Sequence, residues 1–310
     1  MTDPLARAER ILRAAAGDRV RTAFPLAPLT SFRLGGPAAL YLEPESDADL
    51  AAAGEAIVAT DVPFIVIGKG SNILVSDAGF PGLVLRLGRG YRWVAREGTL
   101  VTAGGSIPLP ALAGVALRHG LAGLEFGVAI PATLGGAVRM NAGAHGGTMS
   151  QVLERIATYR LRDGRTETVL AQHAGFAYRR SALEADAVVT GAVVRLESAD
   201  ATEIRARMDE AREWRRRTQP LAEPNCGSVF TNPEGDHAAR LIEAAGGKGL
   251  RVGGASVSSK HSNFIVAEPG TRASDVLALI RDVQRLVEDT AGITLEPEVK
   301  LIGAFDDARR

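Results

Sequence analysis

The stretch Gly123–Gly147, GLEFGVAIPATLGGAVRMNAGAHGG, limits what this chain can fold into more than any other part of it. Glycine stands at 123, 127, 135, 136, 143, 146 and 147, and alanine fills much of the remainder. Only Glu125, Arg139 and His145 carry a charge or an imidazole. Sequence so poor in side chains makes no packed core of its own. Its backbone must instead come close to something, an approach glycine permits because it has no Cβ. Pro131 sets one turn, Gly135-Gly136 a second, and Asn141, Gly143, Gly146 and Gly147 mark further bends. The functional reading is a loop wrapped around a flat, phosphate-bearing cofactor; a glycine-rich surface loop is the plainer alternative.

A chain of 310 residues is long enough for about two domains and a sizeable core. Apolar residues make up 46% and charged residues 23%, with zero net charge, so no electrostatic bias toward nucleic acid or an acidic membrane face is present. The single cysteine, Cys226, excludes an intrachain disulfide. The first thirty residues carry Asp3, Arg7, Glu9, Arg10 and Arg13 and hold no apolar core of signal-peptide length. No uncharged apolar run approaches the roughly 18 residues of a membrane helix. A cytoplasmic, enzyme-sized protein is expected.

Leu5–Ala16 places Leu5, Ala8, Leu12 and Ala15 on one helical face. Thr30–Gly36 leads into a strand at Ala38–Glu43, and Asp47–Ala59 reads as a helix with Asp47 as its cap. Phe64–Ile67, wholly apolar, reads as a buried strand emptying into Gly68-Lys69-Gly70-Ser71-Asn72. Strands are expected at Leu83–Leu87, Arg92–Arg96 and Leu100–Ala103, and a helix at Leu109–His119. Arg155–Leu161 and Arg165–Leu170 alternate around Asp163-Gly164, the strongest hairpin signal in the chain. After a strand at Ala187–Leu196 the chain turns charged and helical from Ala199 to Arg217, taken as the crossing into a second domain. That domain is expected to hold strands at Gly227–Thr231, Asn263–Ala267 and Leu295–Ile302 and helices at Asp236–Ala244 and Ser274–Thr290. Strands and helices mix without strict alternation, which favours α+β over a doubly wound sheet.

Several stretches offer chemistry. Gly68–Asn72 ends a strand, where successive amides form an anion-binding nest, or else an ordinary turn. It is not a P-loop: Pro63 stands where the first glycine belongs and Gly70 replaces Ser or Thr after Lys69. Ala245–Gly249 fails likewise, and no G-x-G-x-x-G opens a helix, so neither an NTPase nor a simple nicotinamide dehydrogenase is supported. Ala177–Ser181 (AYRRS) sets two arginines beside an aromatic, by itself a solvated pair. Arg215-Arg216-Arg217 reads as a helix end, where cations are favourable. Asn225–Asn232 (NCGSVFTN) holds Cys226 and Ser228 but fits neither a Cys-His pattern nor a G-x-S-x-G elbow, Phe230 occupying the last position. In Leu295–Gly303 (LEPEVKLIG) a strand would put Glu296 and Glu298 on one face and Leu295, Pro297 and Val299 on the other. A carboxylate of this kind pointing into a closed site would have a raised pKa and serve as an acid. Five histidines and one cysteine show no metal-ligand spacing.

Taken in order, GKGSN, IPATLGGAVRMNAGAHG, AYRRS, CGSVF, VSSKHSNFIV and LEPEVKLIG resemble the UDP-N-acetylenolpyruvoylglucosamine reductase (MurB) family over roughly Thr30 to Gly303. The resemblance implies an α+β protein. A two-lobed FAD-binding domain of the p-cresol methylhydroxylase type would span 1–198, its lobes at about 20–84 and 85–198, and a C-terminal α+β substrate-binding domain 199–310. It implies FAD held by Gly68, Lys69, Gly70, Ser71, Asn72, Gly127, Ile130, Pro131, Gly135, Gly136, Asn141 and Gly143. Arg179 of the Y-R-x-S motif, Ser228 of C-G-S and Glu298 of E-V-K match the family's catalytic arginine, proton-donating serine and glutamate. Arg215, Gln219, Asn232, Lys260 and His261 would handle substrate. Only Ser181–Ala187 separates Arg179-Arg180 from the next strand, leaving no room for the tyrosine-bearing loop of some members, so the shorter subtype is indicated.

The reaction implied is NADPH-dependent reduction of UDP-N-acetylglucosamine enolpyruvate to UDP-N-acetylmuramate, a step of peptidoglycan precursor synthesis, with hydride delivered through FAD. Arg179 would stabilise the enolate, with Glu298 protonated or bridged to it, and Ser228 would protonate the inner carbon. No nucleic acid, membrane, metal or obligatory protein partner is expected. An FAD-linked oxidase of the same cofactor fold and a non-catalytic nucleotide-sugar binding protein are the alternatives.

Overall fold

Helix α1 (Pro4–Ala16) opens the described part of the chain, residues 3–305 of the computed structural model. Proline suits a first turn because it has no N–H to satisfy, and the Asp3 carboxylate caps the end by accepting from Leu5 N–H at 3.1 Å. The buried residues are Ala8, Leu12 and Ala16, while Ala15, expected on the inner face, is exposed. The contact stripe runs in steps of four, as a ridge packed against a second helix does. That second helix is α2 (Asp47–Thr60). Its cap is Ser46 rather than Asp47: Ser46 is extended at φ −152° and its hydroxyl accepts from Asp49 N–H. Asp47 becomes the first helical residue and accepts instead from the Tyr91 hydroxyl at 2.7 Å. Phe64–Val66 forms the expected strand, parallel to Phe80–Leu85, with Phe64 opposite Leu83. It is an edge strand, only half-buried, with Val66 exposed.

A five-stranded antiparallel sheet runs in the order Arg165–Leu170, Leu153–Arg160, Ala187–Arg195, Leu100–Gly104, Val94–Glu97. The hairpin read around Asp163-Gly164 is there, but Arg160 pairs with Arg165, so the connection has four residues and Gly164 takes the left-handed position at φ 67°. Helices α3 (Leu109–Arg118), α4 (Leu134–Arg139) and α5 (Met149–Val152) cover this sheet. Leu109, Leu112, Leu134, Ala137, Val138 and Met149 form one core with Val101, Ile156 and Ala192 of the strands. The glycine-rich stretch is therefore built around a short helix, α4, and carries part of this core through its few apolar side chains. Helix α6 (Ala201–Thr218) adds Ile204, Met208 and Ala211 to the same core.

The chain divides into two compact units otherwise than its composition suggests. One takes the residues up to Thr22, Ala39–Lys69 and Gly82–Trp214; the other takes Ala23–Ala38, Gly70–Pro81 and the chain from Arg215. The second unit has its own core, in which Phe32 and Leu74 join α7 (Ala238–Ala244), α8 (Ala273–Ala291) and a three-stranded antiparallel sheet of Arg251–Val252, Ala255–Val257 and Ile265–Ala267. The strand Lys300–Ile302 runs parallel to Ile73–Val75, bringing the last described strand beside the segment after the GKGSN motif.

Asp77 ties the start of α8 to that segment: its carboxylate accepts from Ala273 N–H at 2.7 Å and Ser274 N–H at 3.0 Å. Burial alone would raise its pKa, but these amides and the Arg272 charge outweigh it and hold the carboxyl below its ordinary value. A depressed carboxylate stabilises the fold above the unfolded pKa and loses that contribution as pH falls. Asp77→Ala is expected to cost about 1 kcal/mol at neutral pH, a typical helix-cap loss. The gap from wild type should close below about pH 4 in denaturant titrations across pH.

Candidate active site

In the first unit, a cleft of about 100 Å³ is lined by Gly68, Lys69, Gly105, Ser106, Thr133, Gly135, Gly136 and the strand Ala187–Val189, with Arg86, Arg92 and Arg139 around it. One wall is made of backbone. A Cβ on Gly105 would lie 2.1 Å from Val189 O, and one on Gly135 would lie 3.0 Å from the same atom. Gly105 N–H donates to Thr190 O at 2.7 Å, and Gly105 O accepts from Gly135 N–H at 2.9 Å. Thr133 caps α4, its hydroxyl accepting from Gly136 N–H at 3.2 Å. Among the described residues, none of the amides from Gly68 to Asn72 donates to a protein acceptor, although Gly70 is buried and Gly68, Ser71 and Asn72 are half-buried. On the cleft itself the open amides of Gly68 and Lys69, with Arg86 and Arg92 beside them, suit a dinucleotide pyrophosphate.

Of the residues expected at the cofactor, the cleft gathers Gly68, Lys69, Gly135 and Gly136. Gly70, Ser71 and Asn72 belong to the second unit. Gly127 packs against the Leu109 side chain, and Gly143 pairs with Thr148 in a small hairpin, where a side chain at 143 would run into Thr148 and the Gly147 carbonyl. Ile130 is half-buried and Pro131 exposed, neither on the cleft. Sequence reasoning missed Gly105, Thr133 and Arg139. The Gly104-Gly105-Ser106 run at the end of a strand was the available signal for the first; nothing beyond its being the one cation amid small residues marked Arg139.

Arg179 sits on a tight turn in which Ala177 and Arg180 exchange backbone hydrogen bonds of 3.1 and 3.2 Å. Its φ of 56° is left-handed, a strained conformation for a residue with a Cβ. The guanidinium lies over the Tyr178 ring, 4.9 Å from its centroid. Residues 181–186 connect to the strand Ala187–Arg195 without a further element, in keeping with the absence of an inserted loop.

In the second unit, Ser228 follows Gly227, whose φ of 80° makes a sharp bend. Asn225 fixes the bend: its Oδ1 accepts from Gly227 N–H at 2.9 Å, and its amide donates to Pro220 O and Glu223 O. The strand expected at Gly227–Thr231 is reduced to one bridge, Phe230 opposite Pro297. Buried Asn263 takes three further backbone partners. Val229 N–H donates to its backbone carbonyl at 2.9 Å, Phe230 N–H to its Oδ1 at 2.9 Å, and its amide donates to Phe230 O at 2.8 Å.

Glu298 is fixed through its peptide. Its N–H donates to Val229 O at 2.7 Å and its C=O accepts from the Asn72 side chain at 3.1 Å. Asn72, expected at the cofactor, thus spends its side-chain donor on the Glu298 backbone. The expected strand Leu295–Ile302 shortens to Lys300–Ile302, because Pro297 has no N–H for a ladder. Glu296 is exposed and Glu298 half-buried, so the two carboxylates do not share an environment. Burial and then the Glu298 charge push the Cys226 thiol far up, so it stays protonated and is not a nucleophile.

The expected substrate residues all lie in this unit. Arg215 Nε donates to Gln219 Oε1 at 2.9 Å, and burial lowers its pKa. Asn232 Oδ1 accepts from Ala238 N–H at the start of α7. Lys260 donates to Arg216 O at 2.6 Å. His261, depressed by burial, accepts from Asn263 N–H at 3.2 Å.

A model of the FAD binding domain family matches residues 38–169, and one of the UDP-N-acetylenolpyruvoylglucosamine reductase C-terminal domain family matches 219–302. With the backbone-lined cleft, these define an FAD-dependent α+β oxidoreductase. A UDP-N-acetylenolpyruvoylglucosamine reductase 2 of Symbiobacterium thermophilum is 46% identical over 286 residues, 92% of either chain. A reductase of the same name from Anaeromyxobacter sp. (strain Fw109-5) is 46% identical over 299 residues, covering 96% of this chain and 93% of its own. The crystal structure of UDP-N-acetylenolpyruvylglucosamine reductase (MurB) from Thermus caldophilus superposes with a TM-score of 0.81 at 38% identity, covering 92% of this chain and 99% of that one. The chain belongs to the UDP-N-acetylenolpyruvoylglucosamine reductase family. Among the described residues no helix is long and apolar enough to cross a membrane, and no cluster of metal-ligating side chains occurs.

Two glycines of the cleft separate folding from cofactor binding. Gly105→Ala forces a methyl into Val189 O and should cost about 1–3 kcal/mol, the usual range for overpacking. A Cβ on Gly136 meets only Thr133 Oγ1, at 3.4 Å, so Gly136→Ala should hold or raise apoprotein stability, by up to about 1 kcal/mol from helix propensity. The same methyl should weaken FAD retention, read from the flavin-to-protein absorbance ratio of the purified variant.

Proposed function

We propose that this chain catalyses NADPH-dependent reduction of UDP-N-acetylglucosamine enolpyruvate to UDP-N-acetylmuramate, acting in the cytoplasm. What carries the reading is that family membership comes with Arg179, Ser228 and Glu298 each held by its own backbone device: a left-handed turn, the Gly227 bend, and a peptide bonded on both sides. FAD, when bound, supplies hydride exchange, accepting from NADPH and giving to the outer vinylic carbon of the substrate. Gly68, Lys69, Gly135 and Gly136 would hold it.

As hydride adds to the vinylic carbon, the electron pair of the C=C bond moves onto the substrate carboxylate as an enolate. Arg179 offers a fixed positive charge to that oxygen, and losing one such donor typically costs about 100–1000-fold in rate. A bare carboxylate beside an enolate would repel it, so Glu298 works protonated or with its charge offset by a cation. The inner carbon then takes a proton from the Ser228 hydroxyl, and the serine recovers one from water or a neighbour. Asn263 and Asn225 contribute by holding the segment around Ser228 in place.

The test is an anaerobic absorbance titration. The yellow protein should bleach with NADPH and recover colour with the enolpyruvyl sugar. Recovery with oxygen alone would point to an oxidase, and a colourless chain that cannot be reconstituted with FAD would exclude a flavoenzyme. Ser228→Ala should still bleach at close to the wild-type rate yet form no UDP-N-acetylmuramate. Survival of both half-reactions in that variant would remove the serine from its role.

A further inference from the structure

We propose that Ser181, Asn141 and Arg139 are positioning residues for Arg179, a role that rests on assigning Arg179 to the developing enolate. The turn at 177–180 is strained at Arg179, and its other central residue, Tyr178, is 54% exposed, so apolar burial does not hold the turn. Polar contacts from the end of α4 do.

Ahead of the turn, Ala177 O accepts from Arg180 N–H within the turn and also from the Asn141 side-chain amide at 3.1 Å. Asn141 is itself left-handed at φ 41°, and its Oδ1 accepts from Ser150 N–H at 2.9 Å, fixing the amide's direction. Directly after the turn, the Ser181 hydroxyl donates to Arg139 O at 2.9 Å. Further on, the Arg139 guanidinium donates to Leu183 O at 2.8 Å, Glu184 O at 2.9 Å and Ala187 O. Chain on both sides of Arg179 is therefore pinned to residues 139–141, which backbone hydrogen bonds from Met140 N–H to Gly136 O and from Asn141 N–H to Val138 O tie to α4.

Two puzzles of the sequence are answered together. The serine of AYRRS has a partner of its own, the carbonyl at the end of α4. The lone cation of the glycine-rich stretch is a half-buried clamp on three carbonyls, a task for which the planar, many-donor guanidinium is suited and a lysine is not. Misplacing a catalytic group by about 1 Å costs up to roughly 100-fold in rate. Loosening the clamp at Ser181 should therefore act on the step Arg179 serves and leave the flavin's reduction by NADPH alone.

The experiment uses flavin-loaded Ser181→Ala, Ser181→Thr, Asn141→Ala, Arg179→Ala and the double variant Arg179→Ala/Ser181→Ala, with bleaching by NADPH and recolouring by the enolpyruvyl sugar followed separately by stopped flow. Ser181→Ala and Asn141→Ala should recolour about 10- to 100-fold more slowly, and Ser181→Ala should bleach within about 2-fold of wild type. Ser181→Thr, which keeps the hydroxyl, should regain most of the rate. The double variant should be no slower than Arg179→Ala, because the serine acts through the arginine. Additive losses, or bleaching and recolouring falling together in Ser181→Ala, would overturn the positioning role. So would wild-type recolouring in Ser181→Ala and Asn141→Ala while Arg179→Ala is slow, and the assignment of Arg179 would then stand. If Arg179→Ala itself recolours normally, that assignment fails and the clamp with it.

Discussion

Three backbones meet at Gly105, and much of the first unit follows from that meeting. The Gly105 peptide bonds to Thr190 on one side and to Gly135 on the other, and Val189 O lies where any side chain at 105 would have to go. Only glycine allows the strand Ala187–Arg195, the segment after Leu100–Gly104 and the first turn of α4 to come so close. The approach decides where α4 starts and where it points. It also leaves one wall of the cleft formed by peptide groups, which is what close contact with a phosphate requires.

The consequences run outward along α4. Its far end presents a carbonyl, a guanidinium and, two residues on, an amide to the chain between Ala177 and Ala187. Stretches distant in sequence are thus joined by polar contacts to backbone, not by apolar packing. Such contacts are directional and short-ranged, so they fix a turn in one conformation where hydrophobic burial would tolerate several. The second unit works by the same rule. Asn225, Asn263 and Asn72 each spend side-chain hydrogen bonds on backbone carbonyls or amides around Ser228 and Glu298. Asparagine suits this task because its amide both donates and accepts without bringing a charge into the site.

Much of this was readable in the sequence where the signal is local. The hairpin about Gly164, the amphipathic α1 and the long α8 were all evident from periodicity and turn chemistry. The family motifs were readable as a series, since six ordered matches fix a family when no single one does. Element ends were less secure: Ser46 displaced Asp47 as a cap, and Ala16 displaced Ala15 on the buried face. The runs at Gly227–Thr231 and Leu295–Ile302 alternate like strands, yet Asn263 and Pro297 break the ladder, and a side-chain amide acting as a backbone partner leaves no trace in periodicity.

By itself, the sequence determined the α+β class, the family and the glycine-rich stretch 123–147 as backbone that must come close to something, because each of these depends on residue type and near neighbours. Only the tertiary structure decided that Ala23–Ala38 and Gly70–Pro81 fold with the C-terminal residues, that Asn72 holds Glu298, and that Arg139 clamps the loop after Arg179. Those outcomes join residues as far apart as Asn72 and Glu298. A hydrogen bond over that separation depends on how whole elements are placed, which no local pattern of side chains encodes.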